Sequence, residues 1–127
     1  MNRPEQQMQK AIVQHLRTRG APGLVYWHTR NGVAGWGKAA RIQGAIAKGM
    51  GARAGVSDLV FLHDGKFFAL ELKIEGGKPT EEQRAFIDDV NIAGGCATWA
   101  EGLDRALRIL ECWGLLKGQA AMRENAA

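Results

Sequence analysis

Gly55-Val56-Ser57-Asp58-Leu59-Val60-Phe61-Leu62-His63-Asp64-Gly65-Lys66-Phe67-Phe68-Ala69-Leu70-Glu71-Leu72-Lys73 is the stretch that decides the fold. Residues 59–62 read as one strand and residues 67–74 as a second. Asp64-Gly65 between them favours a two-residue hairpin turn, because both central residues of that turn need positive φ. Folding on this turn sets the register: His63 faces Lys66, Leu62 faces Phe67, and Asp58 faces Glu71. Opposed residues lie about 4.5–5.5 Å apart, and like charges there repel. A cation between the two carboxylates would remove that repulsion. Lys73 stands two residues beyond Glu71 and so projects from the same face. Two acids and a lysine on one spot suggest metal-dependent chemistry on a phosphate.

The rest of the chain bounds this reading. A length of 127 residues, 46% hydrophobic and 24% charged, describes one ordinary globular domain with its own core. No apolar run approaches the ~20 residues of a membrane span. The polar start Met1-Asn2-Arg3-Pro4-Glu5 leads straight into a helix pattern and carries no secretory signal. Cys96 and Cys112 make no Cys-x-x-Cys and read as reduced residues of a cytoplasmic protein. His15, His28 and His63 lack zinc spacing. The charge is divided: residues 1–54 hold nine Lys or Arg against the single acid Glu5, whereas residues 55–127 are net acidic. A basic half is the electrostatic footprint of a nucleic-acid binder, or of solubility alone.

The expected order is α-β-(α)-β-β-α-β-α, a mixed α/β sheet flanked by helices. A first helix spans 4–19, with Asn2 able to cap it, Pro4 in its first turn and Gly20 ending it. Residues 24–29 form a strand. Residues 31–55 are glycine-rich and read as a mobile basic arm around a short helix at 38–48. Neither a P-loop nor a dinucleotide motif occurs there. Lys38, Arg41 and Lys48 share one side of that helix; with Arg53 and Arg30 they are the candidate DNA-backbone contacts. Trp36 either stacks on a base or anchors the loop. A helix then opens at Pro79-Thr80, strand 96–100 follows, and a last helix runs over 102–117. Residues 119–127 form a frayed tail.

The acid pair supports specific chemistry. Asp58, Glu71 and the backbone carbonyl of Leu72 supply oxygens of the kind Mg²⁺ or Mn²⁺ takes while keeping waters. Lys73 would hold the attacking water and offset charge growing on the phosphate. Each residue also has a plainer reading. Glu71 and Lys73 can be a solvated pair on an edge strand, and Asp58 a turn cap. Strand 59–62 is apolar on both faces, however, which marks a central strand and makes facing acids harder to dismiss. Gln83 can close a capping box with Thr80, yet it shares a helix face with Phe86, Ile87 and Val90 and should point inward. Glu5 can equally be the partner of Asn2 in a capping box.

Gly55-Val56-Ser57-Asp58, Glu71-Leu72-Lys73 and Gly77-Lys78-Pro79-Thr80-Glu81-Glu82-Gln83 together resemble the VRR-NUC domain, of the PD-(D/E)xK, restriction-endonuclease-like superfamily. The likeness runs from Glu5 to about Lys117. Ser57 stands where the superfamily's name has proline. The resemblance implies that Asp58 and Glu71 bind the metal and that Lys73 serves the water. It also implies that Gln83 and Glu5 support the site, Glu5 as a further ligand directly or through water. Stand-alone domains of this size resemble phage or prophage proteins that act as dimeric Holliday-junction resolvases. The expectation is therefore a Mg²⁺- or Mn²⁺-dependent, structure-selective DNA endonuclease acting as a homodimer. The alternatives are a flap or nicking nuclease, a non-catalytic DNA-binding module of the same fold, or a module for an acidic protein partner.

Overall fold

The computed structural model of the protein describes residues 3–29 and 37–118. In chain order the described residues form α1 (Pro4–Arg19), β1 (Val25–His28), α2 (Gly37–Gly49), β2 (Leu59–His63), β3 (Lys66–Lys73), α3 (Glu81–Ile92), β4 (Cys96–Glu101) and α4 (Leu103–Cys112). Asn2, Arg30, Trp36 and the tail from Gln119 lie outside the described residues.

The hairpin forms as its turn chemistry dictates. Asp64 has φ 50° and Gly65 has φ 77°, so both central residues are left-handed. Leu62 pairs with Phe67 and Leu59 with Leu70, the register read from the sequence. The sheet order is β1-β2-β3-β4. β1, β2 and β3 run antiparallel in turn, and β4 joins β3 in parallel after the α3 crossover. β2 is thus an interior strand, in keeping with its apolar run.

Alternation along β2 and β3 divides the core. Leu59, Phe61, Phe68, Leu70 and Leu72 meet Met8, Ile12 and Leu16 of α1 and Ala106 and Leu110 of α4. On the other face Val60, Ala69 and Ala97 meet Ile87 of α3. Glu71 and Lys73 follow Ala69 on the face that α3 covers. α2 buries none of its residues, and Ile42 and Ile46 stay at least half exposed.

Two expectations of detail need correction. The last helix ends at Cys112 rather than continuing to 117. Gly114, at φ 79°, turns the chain back in a Schellman motif: Leu115 N–H donates to the Leu110 carbonyl at 2.9 Å and Gly114 N–H to the Glu111 carbonyl at 3.0 Å. Buried Leu115 and Leu116 then return to α1, where Ala21 N–H donates to the Leu115 carbonyl and Lys117 N–H to the Arg19 carbonyl. At the other end, the N-cap of α1 is Arg3, with no side-chain cap bond. Glu5 is therefore one position short of closing a capping box.

Candidate active site

The candidate site lies where β2 begins and β3 ends. Asp58 immediately precedes β2, and one further step of the ladder brings it opposite Glu71. Its Oδ2 accepts the Leu72 N–H at 2.8 Å. Its carbonyl accepts the Thr29 N–H at 3.0 Å and lies 3.1 Å from His28 Nδ1. A carbonyl only accepts, so that bond requires the proton on Nδ1. The Thr29 hydroxyl donates to the Ser57 carbonyl. β1 thereby fixes the backbone at Asp58 from one side.

Gly55 fixes it from another. A Cβ on Gly55 would lie 2.4 Å from the carbonyl carbon and oxygen of Glu82 and 2.7 Å from Gln83 N, and its φ is 83°. Only glycine meets both conditions, and the approach lays the Asp58 loop on the first turn of α3. The sequence reading had placed Gly55 in the motif without assigning it this packing role.

Gln83 performs both tasks that its sequence context offered. Thr80 Oγ1 accepts the Gln83 N–H at 3.2 Å, and Gln83 Oε1 accepts the Thr80 N–H at 2.8 Å, a complete capping box. With the amide oxygen so engaged, Nε2 turns inward and donates to Glu71 Oε1 at 3.0 Å. The helix cap itself aims the amide at the acid.

Glu71 is only 3% exposed, and its Oε2 is buried with no hydrogen-bond partner. Burial pushes its carboxyl up to about 8, the facing Asp58 pushes in the same direction, and Lys73 acts against both. Without a cation, then, Glu71 holds a proton at neutral pH. The stem of Lys73 passes beside Gly77, where a Cβ would lie 3.5 Å from Lys73 Cβ. Both backbone groups of a strand residue leave on one edge, so the Leu72 carbonyl faces the side on which its N–H meets Asp58.

The remaining wall is α1. A cleft of about 900 Å³ lies between Glu5, Lys10 and Arg17 on α1 and His28, Asp58 and Leu72 opposite. Glu5 is thus brought into the cleft that holds Asp58, exposed at the start of α1 although it continues the helix face of Met8 and Ile12. Of the expected DNA contacts, Lys38, Arg41 and Lys48 lie on α2 and do not line this cleft. Arg53 is held elsewhere: it pairs with Asp89 at 2.6 Å and lies over the Phe86 ring at 5.3 Å. The α1 cations and His28 are cleft residues that the sequence reading did not select.

A divalent cation fits this donor set. Glu71 Oε2 is a buried oxygen in need of a positive partner, and the facing Asp58 and the Leu72 carbonyl are hard oxygen donors of the type Mg²⁺ or Mn²⁺ prefers. Among the described residues no three His, Cys, Asp or Glu side chains converge as a full cage. Two carboxylates suit an ion that keeps part of its water shell.

No family model matches the chain, and no curated protein matches it. Among solved structures, a VRR_NUC domain protein is similar to 87% of this chain over 88% of its own, with a TM-score of 0.67 and 20% identity. The architecture is restriction-endonuclease-like. More particularly, the chain has the fold found in a VRR_NUC domain.

Proposed function

We propose that the protein is a Mg²⁺- or Mn²⁺-dependent DNA endonuclease. The observation that carries this reading is the buried, partnerless Oε2 of Glu71, set across from Asp58 and beside Lys73 and Gln83. Asp58, Glu71 and the Leu72 carbonyl would hold the cation, with Glu5 contributing directly or through a water. A cation bound there would lower the pKa of water and offset charge on the phosphate. Lys73 orients the water and donates to phosphoryl oxygens as their charge grows. Gln83 keeps Glu71 in the rotamer that faces Asp58, and Gly55 keeps Asp58 against the helix that carries Gln83. The likeness in fold to a VRR_NUC domain supports phosphodiester hydrolysis as the reaction.

Branched DNA, four-way junctions in particular, is the substrate we assign, cut by a homodimer whose two-fold axis presents one site to each strand. This part rests on the resemblance carried by the Gly55 to Gln83 motifs. The test is a cleavage panel of junction, flap, splayed and plain duplex DNA with Mg²⁺. Nicking of branched substrates by the wild type and none by Lys73→Ala is expected. Equal cleavage by both proteins would remove Lys73 from the reaction, and equal cleavage of plain duplex would remove the selectivity.

A further inference from the structure

We infer that the outward stripe of α1 is the track for the DNA strand being cut, with Arg3, Lys10 and Arg17 on its phosphates. The inference rests on the nuclease reading and deepens it.

The stripe follows from helix geometry. Met8, Ile12, Leu16 and Arg19 are the buried residues of α1, so the helix has a fixed inner face. Arg3, Lys10 and Arg17 recur every seven residues on the other side, and all are exposed. Seven residues rise about 10.5 Å, so the three cations span about 21 Å. At about 3.4 Å per step of one strand, this is the reach of about six nucleotides.

Three features make the stripe a phosphate track rather than a solvated helix face. First, Arg3, Lys10 and Arg17 all line the cleft into which Asp58 opens. The cationic rail and Asp58 therefore share one concave surface, with Leu72 beside them. Second, Gln6 and Gln14 lie between the cations and are neutral amides, able to bond phosphate or sugar oxygens without repelling them. Third, the ion pairs among the described residues are Arg19–Glu111, Arg53–Asp89 and His63–Asp64, which leaves the three rail cations uncommitted. Arg53, chosen earlier from sequence, is the contrasting case, since its charge already serves Asp89. The cleft's acids, Glu5 and Asp58, stand where a cation would join the scissile phosphate.

The measurement is DNA binding in EDTA, by fluorescence anisotropy of a labelled junction between 50 and 200 mM salt. Each phosphate contact contributes about 0.9 to the slope of log K against log salt on duplex DNA. Lys10→Ala/Arg17→Ala should lower the slope by about 1.8 and weaken binding at least tenfold at 100 mM salt. Lys10→Arg/Arg17→Lys should keep the wild-type slope. Both positions are exposed helix sites where alanine is well tolerated, and circular dichroism verifies the fold. Wild-type binding with an unchanged slope in the alanine variant would overturn the track and leave the nuclease reading standing. A wild type that binds no DNA would instead overturn the nuclease reading. Binding of poly-glutamate as tight as that of DNA would also defeat the track, by marking a surface for acidic proteins.

Discussion

Glu71 and Arg19 are each 3% exposed, and the fold treats these two buried charges in opposite ways. Arg19 is fully provided for. Its guanidinium donates to His15 Nδ1 at 3.0 Å, to Glu111 at 3.3 Å and to the Lys117 carbonyl. Glu71 has one oxygen on Gln83 and the other on nothing, and both burial and the facing Asp58 oppose its ionisation. A buried charge costs several kcal/mol unless its surroundings answer it. Arg19 is therefore part of the scaffold, tying α1 to α4 and to the chain that follows it. Glu71 is left incomplete, as among the described residues is Ser57 Oγ beside Asp58, and such incompleteness is what the proposed cation site would require.

The contrast can be broken by substituting each charge in turn. The largest effect is expected for Glu71→Gln in cleavage assays, a loss of ~10³-fold or more through weakened cation binding. The same variant should be at least as stable as wild type at pH 8 without metal, since the amide carries no charge. A drop in its melting temperature there would mean that the Glu71 charge is structural after all. Arg19→Met should do the reverse. It should lose about 3 kcal/mol in denaturant titration, because Glu111 and the Lys117 carbonyl lose their donor, while activity per folded molecule is retained.

Smaller effects sharpen the same contrast. Gln83→Ala should reduce cleavage about 10–100-fold, the usual effect of removing a group that orients a metal ligand. It should leave Lys73 and the fold in place, apart from about 1 kcal/mol for the lost cap. The remaining effect is in pH. Unfolded Glu71 ionises near 4.5 and folded Glu71 near 8. Between these values the unfolded chain binds fewer protons, so this group's contribution to metal-free stability falls as pH rises. Scanning calorimetry from pH 5 to 8 should show that decline in wild type relative to Glu71→Gln, and excess Mg²⁺ should remove it. A parallel decline in both proteins would assign the pH dependence to other groups.

The acid pair was legible because an Asp-Gly turn admits few registers. Once both turn residues are left-handed, Asp58 and Glu71 must face each other. The position of Gln83 was legible as two competing readings, cap and inward contact. Its amide has two ends, and the structure uses one for each. The end of α4 was misread because a glycine near a helix terminus fits either inside the pattern or just past it, and only the return of Leu115 and Leu116 to the core decides. The cleft's α1 wall was not legible. Arg3, Lys10 and Arg17 show their seven-residue spacing in the sequence, but that spacing has meaning only once α1 is seen to stand beside Asp58. Local chemistry specified the hairpin and the cap, whereas long-range packing specified the groove.

The bond between Arg19 and the Lys117 carbonyl links positions 98 apart in sequence. Closing so long a loop must follow the hairpin, whose contacts are local and form early. Docking of α1 is accordingly expected among the last events of folding and among the first to reverse. On that expectation the acid pair falls in the early unit, and the wall bearing Glu5, Lys10 and Arg17 in the late one. Amide exchange faster in α1 than in β2 and β3 would report this division directly. A protein so built would keep its acids in place while the helix that walls the cleft loosens and re-forms.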